Sequence, residues 1–155
     1  MPGDTFWLCR ILNEIIAIGG TTAIETPLSL AEFEDHFLIG PDCIICFVSE
    51  SSNGELVGFQ SLTRNSELPK AWADIATFTR REPRIAGVGT ALFQSTITFA
   101  RHYGVIVIKA TIRADNYSGL PYYEKMGFKT YIVASGIPLK NGVLVDRISK
   151  KYVLN

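Results

Sequence analysis

Leu8, Ile11, Leu12, Ile15 and Ile16 recur with a helical period and predict a helix over residues 5–18, capped by Asp4 and closed by Gly19 and Gly20. Residues 21–27 read as a connecting loop. Ser29-x-x-Glu32 is a capping box, so a second helix starts near Leu30, carries Phe33, Phe37 and Leu38, and stops at Gly40-Pro41. From there the period changes to two. Residues 43–49, 56–63 and 72–79 read as strands, the first two joined by the turn Ser52-Asn53-Gly54. A polar loop over residues 64–70 precedes the third. Short connections predict an antiparallel meander, and alternation puts Trp72, Asp74, Ala76 and Phe78 on one face of the third strand.

A glycine-bearing stretch, residues 84–92, then opens an amphipathic helix. Leu92, Phe93, Thr96, Ile97 and Ala100 line one side of it, and Gly104 closes it. Residues 105–112 are nearly all β-branched, as in a strand buried on both faces. A strand, a helix and a second buried strand make a crossover, so these two strands are expected to run parallel. Asp115-Asn116 starts a short helix to about Met126, with Pro121 near its first turn and Gly127 after its end. Residues 128–134 and 144–153 form two last strands, joined through Pro138 and the turn Lys140-Asn141-Gly142. The expectation is one α/β domain over residues 1–155, with a mixed, mostly antiparallel sheet.

Composition narrows the classes. A chain of 155 residues, 47% hydrophobic and 19% charged, can bury a real core. Fifteen basic and fifteen acidic side chains cancel, which argues against a global grip on nucleic acid or an anionic membrane. Arg80, Arg81 and Arg84 still gather beside the glycine stretch. Cys43-x-x-Cys46 has redox or metal spacing, but in a strand the two thiols would point to opposite faces, and no second pair completes a site. No metal is expected. An odd count of three cysteines suits a reducing, cytoplasmic setting. The apolar N-terminal run is interrupted by Arg10, Asn13 and Glu14 and is too short to span a bilayer.

A strand feeding a glycine loop that opens a helix is a phosphate cradle, because first-turn N–H groups are free and face a positive dipole end. Leu92 stands where a dinucleotide fingerprint needs its third glycine. No Gly-Lys-Ser/Thr follows, so a P-loop does not fit either.

Arg84-x-x-Gly87-x-Gly89 resembles the acyl-CoA loop of the GNAT superfamily of N-acetyltransferases. A second block, Asn116-Tyr117-Ser118-Gly119-Leu120-Pro121-Tyr122-Tyr123-Glu124-Lys125-Met126-Gly127-Phe128, is similar to that family's Asn-to-Gly-Phe segment. The order and separation of the blocks agree. Within the family the chain looks most like the phosphinothricin and L-amino-acid acetyltransferase branch, through residues 24–27 and Lys140-x-Gly142-x-x-x-Asp146. The resemblance implies the GNAT fold, with helices on both faces and a splayed parallel pair. The family opens with an edge strand before its first helix; here either that strand is missing or the natural start lies upstream, and its loss would leave the strand at residues 43–49 open to pairing and favour a homodimer.

The resemblance also implies roles. Acetyl-CoA would be the co-substrate, its pyrophosphate on Arg84, Ile85, Ala86, Gly87, Val88, Gly89, Thr90 and Ala91. Its pantetheine arm would pair with the strand end at Phe78 and Thr79, opposite Asn116, with Tyr122 beside it. Tyr123 matches the general acid that protonates the departing thiolate. Asp74, ten residues before Arg84, stands where the branch carries a glutamate base; Glu25 is a second candidate. Glu25, Thr26, Phe33, Phe59, Arg64 and Trp72 would line the acceptor pocket. The implied reaction is acetyl transfer to a primary amine of a small molecule, such as an amino acid, in a ternary complex. A peptide or protein amino group, or acyl-CoA binding without turnover, are the alternatives.

Overall fold

The structure, a computed structural model, describes residues 3–81 and 85–154. Helix α1 spans Asp4–Ile18, with its apolar stripe buried. Gly3, not Asp4, is the N-cap; Asp4 lies in the first turn, where its charge favours the helix dipole. The expected capping box at Ser29 and Glu32 starts α2, Leu30–Phe33, which passes directly into a π-helical turn, Glu34–Leu38.

The sheet has six strands: β1, Cys43–Glu50; β2, Leu56–Thr63; β3, Trp72–Thr79; β4, Val107–Arg113; β5, Lys129–Pro138; and β6, Leu144–Val153. Their order across the sheet is β1-β2-β3-β4-β6-β5, with β3 and β4 the parallel pair. Among the described residues strand β1 is an edge of the sheet. Helix α3, Val88–Tyr103, makes the crossover, and α4, Gly119–Met126, joins β4 to β5.

Two cores lie on opposite faces. On the face called front here, α1 and α2 cover β2 and β3. Phe33, Phe37, Phe59 and Phe78 meet there at ring-centroid separations of 5.1–5.8 Å. Such pairs contribute about 0.5–1.5 kcal/mol each beyond their burial. On the back face, α3 and α4 pack on Leu62, Ala73, Ile75, Ile108, Ala110 and Ile112.

The cysteine expectation is corrected. A register shift between Cys43 and Ile45 takes up one residue of the alternation. Both thiols therefore face the front: Cys43 donates to the Asp35 and His36 carbonyls, and Cys46 packs in the front core. Burial pushes the Cys46 thiol up to about 12, so it stays protonated.

Candidate active site

The site is a wedge. Strands β3 and β4 pair only through Trp72, Ala73 and Asp74, opposite Val107, Ile108 and Lys109. Beyond Asp74, residues 75–79 of β3 and 110–113 of β4 have no pairing with each other, while each keeps its partner on the other side. Two strand edges thus diverge toward their C-terminal ends, with backbone groups available to an extended ligand.

The glycine loop lies at the β3 mouth of this wedge. Gly87, at φ +81°, is the N-cap of α3, a conformation that L side chains rarely adopt. Among the described residues no side chain caps the helix, and no acidic residue occupies its first turn. The Ala91 N–H reaches Gly87 O at 3.0 Å, so the N–H groups before it are the helix's unpartnered ones. Ile85, Ala86 and Gly87 are exposed; Gly89, Thr90 and Ala91 begin the helix. Gly58, whose Cβ would come within 3.2 Å of Val88, lets the start of α3 press onto β2 and the end of β3. Phe78 turns into the front core, and Thr79 is half-buried. Arg84 lies outside the described residues. Arg80 is committed to Glu55 at 3.0 Å.

Gly89 has a role that the loop motif does not show. A Cβ there would meet the Tyr122 ring at 2.7 Å, so this glycine makes room for a tyrosine of α4 as well as for a ligand. Gly89→Ala is expected to weaken donor binding by pushing Tyr122 off the loop. Calorimetric titration with CoA reads this, and unchanged affinity would show that the contact is dispensable.

Tyr122 begins a buried polar chain. Its hydroxyl donates to Gly89 O at 2.7 Å, so Gln60 Nε2, 3.0 Å away, must donate to it. The second Gln60 N–H goes to Thr77 Oγ1 at 2.8 Å. Thr77 Oγ1 in turn lies 2.9 Å from the Tyr123 hydroxyl. Gln60 and Thr77 are direct cross-strand neighbours, which is why two strands can present one network. Gln60 is fully buried, and its Oε1 has no partner among the described residues. Burial pushes both phenols above the usual tyrosine range, so Tyr122 and Tyr123 are neutral donors over the physiological range.

The sequence missed Gln60, Thr77 and Arg113. A glutamine within the apolar run of β2 was the available signal for the first. Arg113, buried at the end of β4, holds Asp115 through two bonds of 2.9 and 2.7 Å and donates to Thr22 O at 3.2 Å. Its guanidinium holds the Asp115 carboxyl below the usual range. Asn116 is also committed: Nδ2 donates to Thr21 O at 3.0 Å, and Oδ1 accepts from the Gly119 N–H at 2.8 Å. It ties the α1–α2 loop to the start of α4, so its expected contact with a ligand competes with a structural task.

The remaining candidates separate. Asp74 is half-buried on the front face, at the last paired position before the wedge opens, and accepts from Asn65 Nδ2 at 2.9 Å. Glu25 accepts the Lys140 N–H on both oxygens at 3.0 Å, clamping the α1–α2 loop to the β5–β6 hairpin. Thr26 is exposed beside it. Phe33 and Phe59 are 0% exposed, so they are core and not pocket wall. Arg64 and Trp72 do come together, but in a cavity of about 460 Å³ with Lys70 and Tyr103, at the opposite end of β3 from the glycine loop. The reason is topological: Arg64 follows the end of β2, which runs antiparallel to β3 and so delivers it to the start of β3. Arg64 is bonded to the Tyr103 hydroxyl there. Among the described residues no group of three or more His, Cys, Asp or Glu could hold a metal, and no helix is long and apolar enough to cross a membrane.

The acetyltransferase (GNAT) family model matches residues 5–128, and the chain belongs to that family. Among solved structures it is similar to a putative phosphinothricin N-acetyltransferase, at 23% identity and a TM-score of 0.85, covering 100% of this chain and 95% of that one. A phosphinothricin acetyltransferase from Sinorhizobium meliloti in complex with AcCoA is similar at 20% identity and TM-score 0.84, over 100% and 85% of the two chains. A ribosomal-protein-alanine N-acetyltransferase from Brucella melitensis matches at 21% and 0.83, over 99% and 96%. At such identities the likeness is one of fold. No curated protein sequence matches the chain significantly.

Proposed function

We propose that the protein transfers an acetyl group from acetyl-CoA to a primary amine of a small molecule, by direct attack with both substrates bound. The observation that carries this is the wedge, with an uncapped helix N-terminus at one mouth and a buried tyrosine hydroxyl network on its back side. These residues fit the donor: the first turn of α3 is free for a pyrophosphate, and the open β3 edge suits a pantetheine arm. Acetyl-CoA supplies the activated thioester acyl group.

The chain's own residues divide the rest. Asp74, on the front face where the wedge begins, takes the proton of the attacking amine. Tyr123 supplies a proton to the departing thiolate. Thr77 accepts from Gln60, so its own proton is free to go to the Tyr123 oxygen. The Tyr123 proton is then available to the wedge, and Thr77 supports the phenolate left behind. Removing that support by Thr77→Val should lower kcat about tenfold with little change in the KM for acetyl-CoA. Steady-state kinetics reads the split, and an equal rise in KM would make Thr77 a binding residue instead.

The test of the reaction is thiol release from acetyl-CoA across amino acids, polyamines and peptides, with the product identified by mass. CoA binding without turnover on any amine would sink the reading. Faster turnover of peptides than of free amino acids would move the acceptor to a protein amino group.

A further inference from the structure

On the front, helices cover the β1, β2 and β3 half of the sheet; on the other half Thr111, Lys129 and Ile132 are exposed. Strand register puts an unusual row there. Asp74 is opposite Lys109, Lys109 is opposite Lys151, and Lys151 is opposite Lys129. Alternation places all four on the front, the face of Trp72. Like charges directly opposite one another across strands are destabilising. Neighbouring carboxylates could relieve them, but among the described residues the ion pairs join Arg10 to Glu14, Arg80 to Glu55, Arg113 to Asp115 and Lys150 to Glu124. None reaches the row.

One member is held in place by other means. The Lys151 ammonium lies 5.9 Å from the Trp72 ring centroid and 5.2 Å from that of Tyr131. The two rings stand edge to face at 6.1 Å. An ammonium fixed between aromatic walls remains able to donate toward an anion. Asp74 accepts from Asn65 on the β2 side, and among the described residues it forms no ion pair with Lys109.

We propose that this lysine row is the anion site of the acceptor, and that the acceptor is an acidic amino acid. Its amine faces Asp74, its α-carboxylate takes Lys109 one strand away, and a second carboxylate takes Lys151 and Lys129 further along the row. Strands lie about 4.8 Å apart, so Asp74 and Lys151 stand about 10 Å apart at the backbone, a span that a dicarboxylic amino acid and its hydrogen bonds can bridge, and Lys129, one strand further, reaches the second carboxylate by its long side chain. The proposal rests on the acetyl-transfer reading for the fate of the amine, but binding tests it separately.

The experiment compares glutamate with glutamine, aspartate with asparagine, and both with spermidine and an acidic peptide. It uses the full chain as wild type and as Lys151→Gln and Lys129→Gln. Thiol release gives kcat/KM, and calorimetry gives binding of glutamate to the CoA-loaded protein. Each acid should exceed its amide by about tenfold or more, the scale of one hydrogen bond to a charge. Lys151→Gln should erase most of that preference and leave the KM for acetyl-CoA unchanged. Rising ionic strength should narrow it too. Glutamate binding that depends on Lys151 without turnover supports the site and refutes the reaction. Equal rates for acid and amide, preference for spermidine or the peptide, or a preference untouched in both variants would each overturn the proposal.

Discussion

Tyr123→Phe is expected to lower kcat about 100- to 10,000-fold, the usual range for a positioned general acid or base, while CoA affinity changes little. The substitution removes one oxygen from a ring that is buried against Phe128 and Tyr122. The ring packing survives, so folding should too. The lost atom is the one 2.9 Å from Thr77 Oγ1. Burial raises the Tyr123 pKa, so the phenol stays loaded with its proton through neutral and mildly alkaline pH. The sign follows: no loss of rate on the alkaline side near neutrality is expected from Tyr123, because its proton leaves only above the ordinary tyrosine range. Single-turnover thiol release and calorimetry separate the two effects. Unchanged turnover would remove Tyr123 from the reaction, and equal losses in rate and CoA affinity would make it a binding residue.

Asp74→Asn should produce the second large effect, again about 100-fold or more in kcat. The isostere can keep the hydrogen bond from Asn65, so the strand and loop are expected to hold. What it loses is the proton acceptor. The deficit should shrink as pH rises, because the amine then sheds its proton to solvent and needs the carboxylate less. Parallel pH–rate profiles of the two proteins read this directly. A constant deficit at every pH would give Asp74 an electrostatic role in place of a base. No deficit at all would leave Glu25 as the remaining candidate, at the cost of releasing its clamp on Lys140.

These two residues show how legible the site was. Both stood out in the sequence, Tyr123 through its motif and Asp74 through its distance from Arg84. Their relation did not. Asp74 and Thr77 are three residues apart on one strand, so they face opposite sides of the sheet, and Tyr123 bonds to the back one. Donor and acceptor chemistry thus approach from different faces, through a gap that exists only because β3 and β4 stop pairing after Asp74. Arg64 illustrates the reverse error. Its position before β3 made it a candidate for the acceptor pocket, yet antiparallel pairing carries it to the start of the strand, where it bonds to the Tyr103 hydroxyl.

The local pattern by itself determined the elements: helical and two-residue periods, the capping box at Ser29, the glycine that starts α3 and the β-branched run of β4. Each depends on neighbours within a few residues, where side-chain period and backbone preference act directly. It also determined the family, because two motifs lie in the right order at the right separation. Only the tertiary structure decided the contacts made across strands. The Gln60–Thr77–Tyr123 chain, the Tyr122 ring over Gly89 and the row from Asp74 to Lys129 join residues far apart in the chain. Register sets which of the strand residues meet, and a shift of one residue would turn Gln60, Thr77, Asp74 and the lysines to the other face.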